Sequence, residues 1–400
     1  SYARYNGREA ITINVTKRAD ANVIDSVEQV LEVVQAARPL IPAGIDVIFS
    51  QNQAEFAALQ VAELEGNILT ALALVMTLVV AAAAHGYGAV CANGVRAVAI
   101  STDGPPRVTV SADEAQFQIE ARAVLNAAGP WAMRLMGQST PEVELIKGTH
   151  IVMPAINGVR EAFLLTAEDG RVFFVIPWYG RTLVGTTERS IQTVEEATPT
   201  EDEIAYLLRA VSVAMPGLGW QRSDVISAFA GTRTLQKAAA ESLSAVSREF
   251  AVVEPQLNVW VSVGGKYTTA RCDAAGIVDQ IADRLGHTSA CRTHVTALPG
   301  TPRLAFTTWL GSARAELIAA GVDAEAAYWC ALRHGTGVDT ILDLIGTDRG
   351  LALRIHKDAP FLNAEAVLAR RDEMARSDHD VLRRRMPLHL MVGNNVGAPG

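Results

Sequence analysis

Residues 261–271 read VSVGGKYTTAR. Val261 and Val263 alternate with Ser262 as a strand does. Gly264 and Gly265 let the backbone turn tightly, and Thr268 or Thr269 can cap a helix that starts there. A strand, a tight turn and a helix N-terminus leave unpaired N–H groups and the positive end of a helix dipole facing outward. Lys266 adds a full charge beside them. An ordinary capped helix start has the same pattern, so the stretch needs support from elsewhere in the chain.

Support comes from both sides of it. Upstream, RVTVSADEAQFQIEARAVLNAAGPW (107–131) reads as strands that end in Ala127, Ala128 and Gly129. Small side chains there let the backbone approach a bound group closely, although a plain tight turn would look the same. Between the two stretches lie ELIKGTHIVMP (144–154), VFFVIPWYGRTLVGTTE (172–188), FAGTRTL (229–235) and SREF (247–250).

The totals bound the answer. Four hundred residues, 49% hydrophobic and 20% charged, suggest two or three domains with a large core. A net charge of −8 argues against nucleic acid, which needs a basic surface. Cys91, Cys272, Cys291 and Cys330 form no C-x-x-C pair. That points to free thiols in a reducing compartment, with neither disulfide frame nor metal site. No signal-peptide pattern opens the chain, and a start at Ser1 without Met leads to the expectation of an upstream piece.

In order and spacing, the blocks from Leu78 to Pro387 resemble the aerobic FAD-dependent glycerol-3-phosphate dehydrogenases. The resemblance implies oxidation of sn-glycerol 3-phosphate at C2 to dihydroxyacetone phosphate, with FAD passing the electrons to quinone. It implies that Arg233 and Arg248 hold the phosphate, for which the planar guanidinium fork is suited. Thr187 joins them on the substrate side. His150 is the candidate for proton transfer, with Arg233 or Lys266 able to share that role. Ala127, Ala128, Gly129, Gly264, Gly265, Lys266, Tyr267 and Thr268 fall on the flavin side, where the helix N-terminus would face the reduced pyrimidine ring.

Three departures stand out: AGTRTL, GTTE and GGKYTTAR appear where the family tends to have SGVRPL, GTTD and GGKLTTYR. Thr234 in place of proline suggests a looser arginine loop. The largest departure is an absence. The family's G-x-G-x-x-G turn for the FAD pyrophosphate is missing, and GYGAVC (86–91) and GTGVDT (335–340) each lack the third glycine.

Residues 1–77 read differently. Ile11, Ile13 and Val15 alternate as a strand, ANVIDSVEQVLEVVQAAR carries helical spacing, AGIDVIFS is a second strand, and QAEFAALQVAELEG a second helix. These stretches, with NILTALALVM, resemble a porter subdomain of the resistance-nodulation-division efflux transporters and the start of a transmembrane helix. The uncharged run Ile68 to Ala84 is 17 residues long, at the low end for a span. Its first half reads as transporter and its second as dehydrogenase, which implies a seam at Leu78 to Val80.

Beyond the linker TSACRTHVTALPGTP (288–302), the chain reads as helices: ARAELIAAG, AEAAYWCALRHG, VDTILDLIG and NAEAVLARRDEMARSDHDVLRRRMPL. Arg383 to Arg385 suit a solvated helical face, with acidic lipid or a second subunit as alternatives.

The expected fold class is α/β, an incomplete FAD-dependent oxidoreductase substrate/cofactor domain (78–287). An N-terminal βαβ porter-like fragment (1–77) precedes it, and a C-terminal α-helical domain (288–393) and a tail (394–400) follow. The leading function is a truncated, fused FAD-dependent glycerol-3-phosphate dehydrogenase, and the missing pyrophosphate turn leads to the expectation that this chain does not hold FAD tightly and has weak or no activity. Its implied partners are sn-glycerol 3-phosphate and quinone, and its expected location is the cytoplasm, peripheral to the inner membrane or free of it. A homodimer is the assembly to test. The rivals are an efflux-transporter fragment and an inert chimera.

Overall fold

The computed structural model describes residues 3–5, 8–10, 30, 32–36, 38, 81, 83–101, 104–136, 143–236, 250–287 and 289–393. The chain divides into two compact units, Ser1–Asn67 and Ile68–Gly400. The boundary falls upstream of the seam expected at Leu78.

In the first unit, β1 (Ala3–Tyr5) pairs antiparallel with β2 (Arg8–Ala10). Residues 32–36 are helical, within the helix expected from the spacing of Val23, Val27, Val30 and Val34. The expected strands at Ile11–Val15 and Ile45–Phe49, the second helix and most of the apolar run lie outside the described residues. No helix among the described residues is long and apolar enough to cross a membrane.

Among the described residues the second unit holds three sheets. The first is antiparallel: β3 (Val95–Ser101), β4 (Arg107–Ala112) and β5 (Ala115–Glu120). In the next sheet β6 (Val124–Asn126) lies parallel to β14 (Val259–Val263), which pairs antiparallel with β13 (Ala251–Gln256). The third is antiparallel and centred on β7 (Val143–Pro154). On one side β7 pairs with β12 (Ser227–Gln236), and on the other with β10 (Arg181–Gly185) and, at its start, β11 (Arg189–Ile191). Beyond β10 come β9 (Val172–Trp178) and β8 (Phe163–Thr166).

Alternate residues of a strand point to opposite faces, and β7 uses both. Ile151 and Met153, with Phe173, Val175 and Val184, pack under the helix Glu201–Ala214 through Ile204, Leu207 and Val211. That helix has a strong start signal: Thr200 and Glu203 form a capping box. Glu203 then does a second job. It pairs with buried Lys147 at 2.9 Å, and Lys147 also donates to the Thr198 carbonyl. Burial works to raise the Glu203 carboxyl; the Lys147 ammonium and the Thr200 donors outweigh it and hold its pKa below the usual value. A lysine within a core strand is tolerated because its charge is paired and hydrogen-bonded.

A short helix, α1 (Ala132–Met136), packs against the parallel pair; α2 is the helix Glu201–Ala214 above, and a longer helix, α3 (Ala270–Arg284), follows β14. Residues 289–302 form turns without helix or strand, as expected of a linker. The C-terminal part is helical: α4 (Phe306–Ala319), α5 (Ala324–His334), α6 (Val338–Thr347), α7 (Asn363–Arg371), a π-helical stretch Asp380–Arg385, and α8 (Leu388–Val392). Leu317, Cys330, Ile341, Ile345 and Leu362 form its core.

The last helical reading needs correction. NAEAVLARRDEMARSDHDVLRRRMPL is not one run: α7 ends at Arg371, and Met374 takes a left-handed φ of 59°. Ser377 then caps a fresh start, with Asp380 accepting from the Arg376 and Ser377 N–H groups. The pattern Ser-x-x-Asp was present in SDHD; the helix-forming residues around it masked the break.

Candidate active site

β7 and β12 run antiparallel with Phe229 opposite His150, Gly231 opposite Gly148 and Arg233 opposite Ile146. The register is unbroken, so His150, Gly148, Phe229, Gly231 and Arg233 share the face away from α2. Two paired glycines lie between His150 and Arg233, and they differ in what stands over them. A Cβ at Gly231 would meet no heavy atom within 4 Å. At Gly148 a Cβ would meet Thr186 Oγ1 at 2.4 Å, with Arg233 Nη2 at 3.4 Å, so this glycine lets both side chains close over the strand.

The His150 ring is fixed from two sides. It stacks on Phe229 with centroids 5.1 Å apart and planes 8° from parallel. On its other side it lies against Gly185, its register partner on β10, where a Cβ would come within 2.3 Å of the ring. Its Nδ1 is buried without a hydrogen-bond partner among the described residues. Burial, then the nearby Arg233 charge, push its pKa down to about 3. The imidazole is therefore neutral at physiological pH, with a lone pair free to accept a proton.

Arg233 is half-buried and faces Glu188 at 3.4 Å. The departure from GTTD to GTTE thus places a longer carboxylate beside the arginine. The expectation of a looser arginine loop is overturned: Arg233 lies inside a strand of 10 residues. Thr234 lies in the same strand, opposite Leu145. Thr187 is not open to a substrate. Its hydroxyl donates to Glu203 at 3.1 Å and accepts the Thr149 N–H at 3.0 Å, inside the buried Lys147–Glu203 network. It positions β7 from behind. Arg248 lies outside the described residues.

The two small-residue turns come together. Asn126 and Val261 are register partners on the parallel pair, so Ala127–Gly129 and Gly264–Lys266 leave the carboxyl ends of adjacent strands. Crevices at such ends are the usual ligand sites of α/β sheets. Asn126 braces its turn, accepting from the Ala128 N–H and donating to the Ala132 carbonyl. Gly129 has φ 55° and open space where a Cβ would stand. Gly264 and Gly265 take φ 70° and 101°, as the turn reading required. The capping expectation fails: neither Lys266 nor Thr269 caps with its side chain, and Thr269 Oγ1 donates to Asp273 instead. Tyr267 Oη is buried without a partner among the described residues, while Lys266 and Thr268 are exposed. An uncapped turn, an orphaned phenol and space over Gly129 fit the ring end of a flavin. Among the described residues no strand runs into a G-x-G-x-x-G turn that would cradle the pyrophosphate.

Sequence reasoning missed Gly148, Gly231, Phe229 and Glu188. A signal existed: KGTH and AGTR each put glycine two residues before the chemical residue, on the same strand face. A cluster of Cys330, His334 and Glu365 also went unremarked. Its ligand atoms lie within 4.8 Å of one another. Glu365, however, is fully engaged by Arg333, His334 and the Leu362 N–H, and burial raises the Cys330 thiol. These groups tie α5 to α7.

Comparisons with known proteins show what the chain resembles. A family model described as FAD dependent oxidoreductase matches residues 54–270, and one described as C-terminal domain of alpha-glycerophosphate oxidase matches 291–398. A third, for the AcrB/AcrD/AcrF family, matches 1–82. The chain is 30% identical over 323 residues to a mitochondrial glycerol-3-phosphate dehydrogenase of Arabidopsis thaliana, covering 74% of this chain and 51% of that one. It is 31% identical over 294 residues to a glycerol-3-phosphate dehydrogenase of Pseudomonas aeruginosa, covering 70% and 56%. The chain thus spans about half the length of the curated relatives it matches. The structure of the Bacillus halodurans glycerol-3-phosphate dehydrogenase, complexed with FAD, superposes with a TM-score of 0.67 at 26% identity. That match covers 80% of this chain and 65% of the other.

Proposed function

The chain belongs to the FAD dependent oxidoreductase family, and on that premise we propose that it carries the substrate side of a glycerol-3-phosphate dehydrogenase. The reaction is oxidation of sn-glycerol 3-phosphate at C2 to dihydroxyacetone phosphate. Bound FAD would accept the hydride, and quinone would take the electrons. The carrying observation is one strand face on which the open Gly231 lies between a neutral histidine and an arginine whose guanidinium reaches over Gly148.

Each residue has a task that its environment suits. Arg233 holds the phosphate dianion; its guanidinium is half-buried, where charge-assisted hydrogen bonds are stronger than in water. Glu188 orients it. His150 accepts the proton of the C2 hydroxyl, its ring held between Phe229 and Gly185. A pKa of about 3 makes it a weak base while the site is empty; a phosphate dianion beside Arg233 would offset that charge and raise it. Lys266 and the uncapped N–H groups after Gly265 would face the negative end of the reduced ring. Arg248 completes the phosphate grip in this reading. A homodimer and peripheral membrane contact belong to the same proposal.

Residues 1–77 we assign to a porter fragment fused ahead of this enzyme, with the seam at Leu78–Val80. The support is the AcrB/AcrD/AcrF match, which overlaps the oxidoreductase match over residues 54–82. The test of function is phenazine-dye reduction by the purified chain with FAD added. Reduction that depends on glycerol 3-phosphate, and not on glycerol, supports it; equal rates with both refute it.

A further inference from the structure

The three arginines Arg383, Arg384 and Arg385 end the π-helical stretch, and a solvated face was their expected role. Two of them are accounted for. Arg384 pairs with Asp380 at 2.8 Å, and Arg385 donates to the Glu373 carbonyl at 2.9 Å. Arg383 turns the other way. Its Cζ stands 5.8 Å from the centre of the Phe229 ring, and that ring carries His150 stacked beside it. Arg383 is half-buried and makes no ion pair or hydrogen bond among the described residues.

The backbone explains how a helical residue reaches the sheet. Ser227, two residues before Phe229 on the same strand face, donates to the Leu390 carbonyl of α8. That bond clamps the C-terminal helices over the start of β12. Among the described residues, no carboxylate pairs with Arg383. His389 lies close enough to have its own pKa lowered, through burial, His379 and Arg383. Burial and the neighbouring Arg384 also lower the Arg383 pKa. A half-buried guanidinium with only an aromatic face for company gains from an anion brought to it.

We propose that Arg383 is a further substrate-binding residue, supplied by the C-terminal helical domain, which contacts the phosphate of the phosphorylated polyol held over the Gly148–Gly231 floor. This rests on the function proposed above and assigns a specificity role to a domain that otherwise serves packing. It also gives a reason for the domain to sit on the β12 edge: the site's cationic wall is complete only when the helices are docked.

The test is titration calorimetry on the 400-residue chain, with glycerol 3-phosphate as probe and glycerol and inorganic pyrophosphate as comparators. Arg383→Met keeps the apolar stem; Arg383→Lys keeps the charge; Arg384→Ala removes a neighbour already paired. Losing a hydrogen bond to a charged group corresponds to a roughly 10-fold or greater loss of affinity. The expected result is a loss of about that size for glycerol 3-phosphate in Arg383→Met, partial recovery in Arg383→Lys, and none in Arg384→Ala. Thermal unfolding without ligand checks that Arg383→Met is folded; if it is not, Arg383→Lys against Arg384→Ala decides. Unchanged affinity in Arg383→Met while Arg233→Met loses binding overturns this inference and leaves the proposed function standing. A loss confined to pyrophosphate assigns Arg383 to the cofactor and overturns it as well. No binding of glycerol 3-phosphate by the unmodified chain refutes both.

Discussion

At residue scale, glycine decides as much as the charged groups do. Gly231 and Gly185 share one face of the sheet and predict opposite outcomes. Alanine at Gly231 meets open space, so Gly231→Ala should unfold within about 0.5 kcal/mol of the unmodified chain and still weaken glycerol 3-phosphate binding. Alanine at Gly185 strikes the His150 ring, and overpacking of that kind costs about 1–3 kcal/mol. Thermal unfolding separates the two. His150 adds a pH dependence. Its folded pKa of about 3 lies below the ordinary 6.5, so the unfolded chain binds its proton first. Stability from this group is full above pH 6.5 and falls as pH drops toward 3. His150→Phe should flatten that part of a stability-against-pH curve; an unchanged slope would place the charge elsewhere. His150 and Arg233 were legible from KGTH and AGTR by resemblance. Glu188 and Phe229 were not, because their importance lies in cross-strand register, which one sequence does not display.

At the scale of elements, the strength of local signals governed what could be read. The strand alternation around β14 was strong, while the Thr200 capping box, though present in the sequence, was passed over. The break after α7 was hidden by helix-forming residues on both sides of SDHD, and β1–β2 was passed over for the more regular Ile11–Val15. The α5–α7 junction yields a test of its own. Glu365 is buried between Arg333 at 2.8 Å and His334 at 2.8 Å. Burial favours its neutral form, but the Arg333 charge and the His334 bond prevail and hold its pKa at about 2. A depressed carboxyl stabilises fully above its unfolded pKa, here 4.5, and loses that contribution as pH falls toward 2. Glu365→Gln leaves Arg333 buried without its counter-charge and should cost about 3–5 kcal/mol, with the acid-dependent part between pH 4.5 and 2 removed. Denaturant unfolding followed by tryptophan fluorescence measures both. A loss below about 1 kcal/mol would mean that the pair behaves as a solvent-screened one.

For the whole molecule, the fold class was readable because five separated blocks kept the order and spacing of one family, while the domain limits depend on a seam between two unrelated patterns. Residues 85–94 are exposed and carry no strand, so limited proteolysis should cut between residues 78 and 95. A protease-resistant unit spanning that stretch would reject the proposed seam. Flavin affinity is the second whole-molecule expectation. A pyrophosphate is normally held at a glycine-lined helix N-terminus. None of the described strands leads into one, and the sequence carries no G-x-G-x-x-G. The chain should therefore lose FAD on dialysis, and near-stoichiometric flavin absorbance afterwards would show that another segment does this work. The claim on which the rest depends is the place of the substrate. A crystal structure of the chain with glycerol 3-phosphate tests it most directly. The account predicts the phosphate over Gly148 and Gly231, within hydrogen-bond distance of Arg233, with the C2 hydroxyl toward His150. A phosphate bound away from the β7–β12 face, with Arg233 still paired only to protein groups, would contradict it.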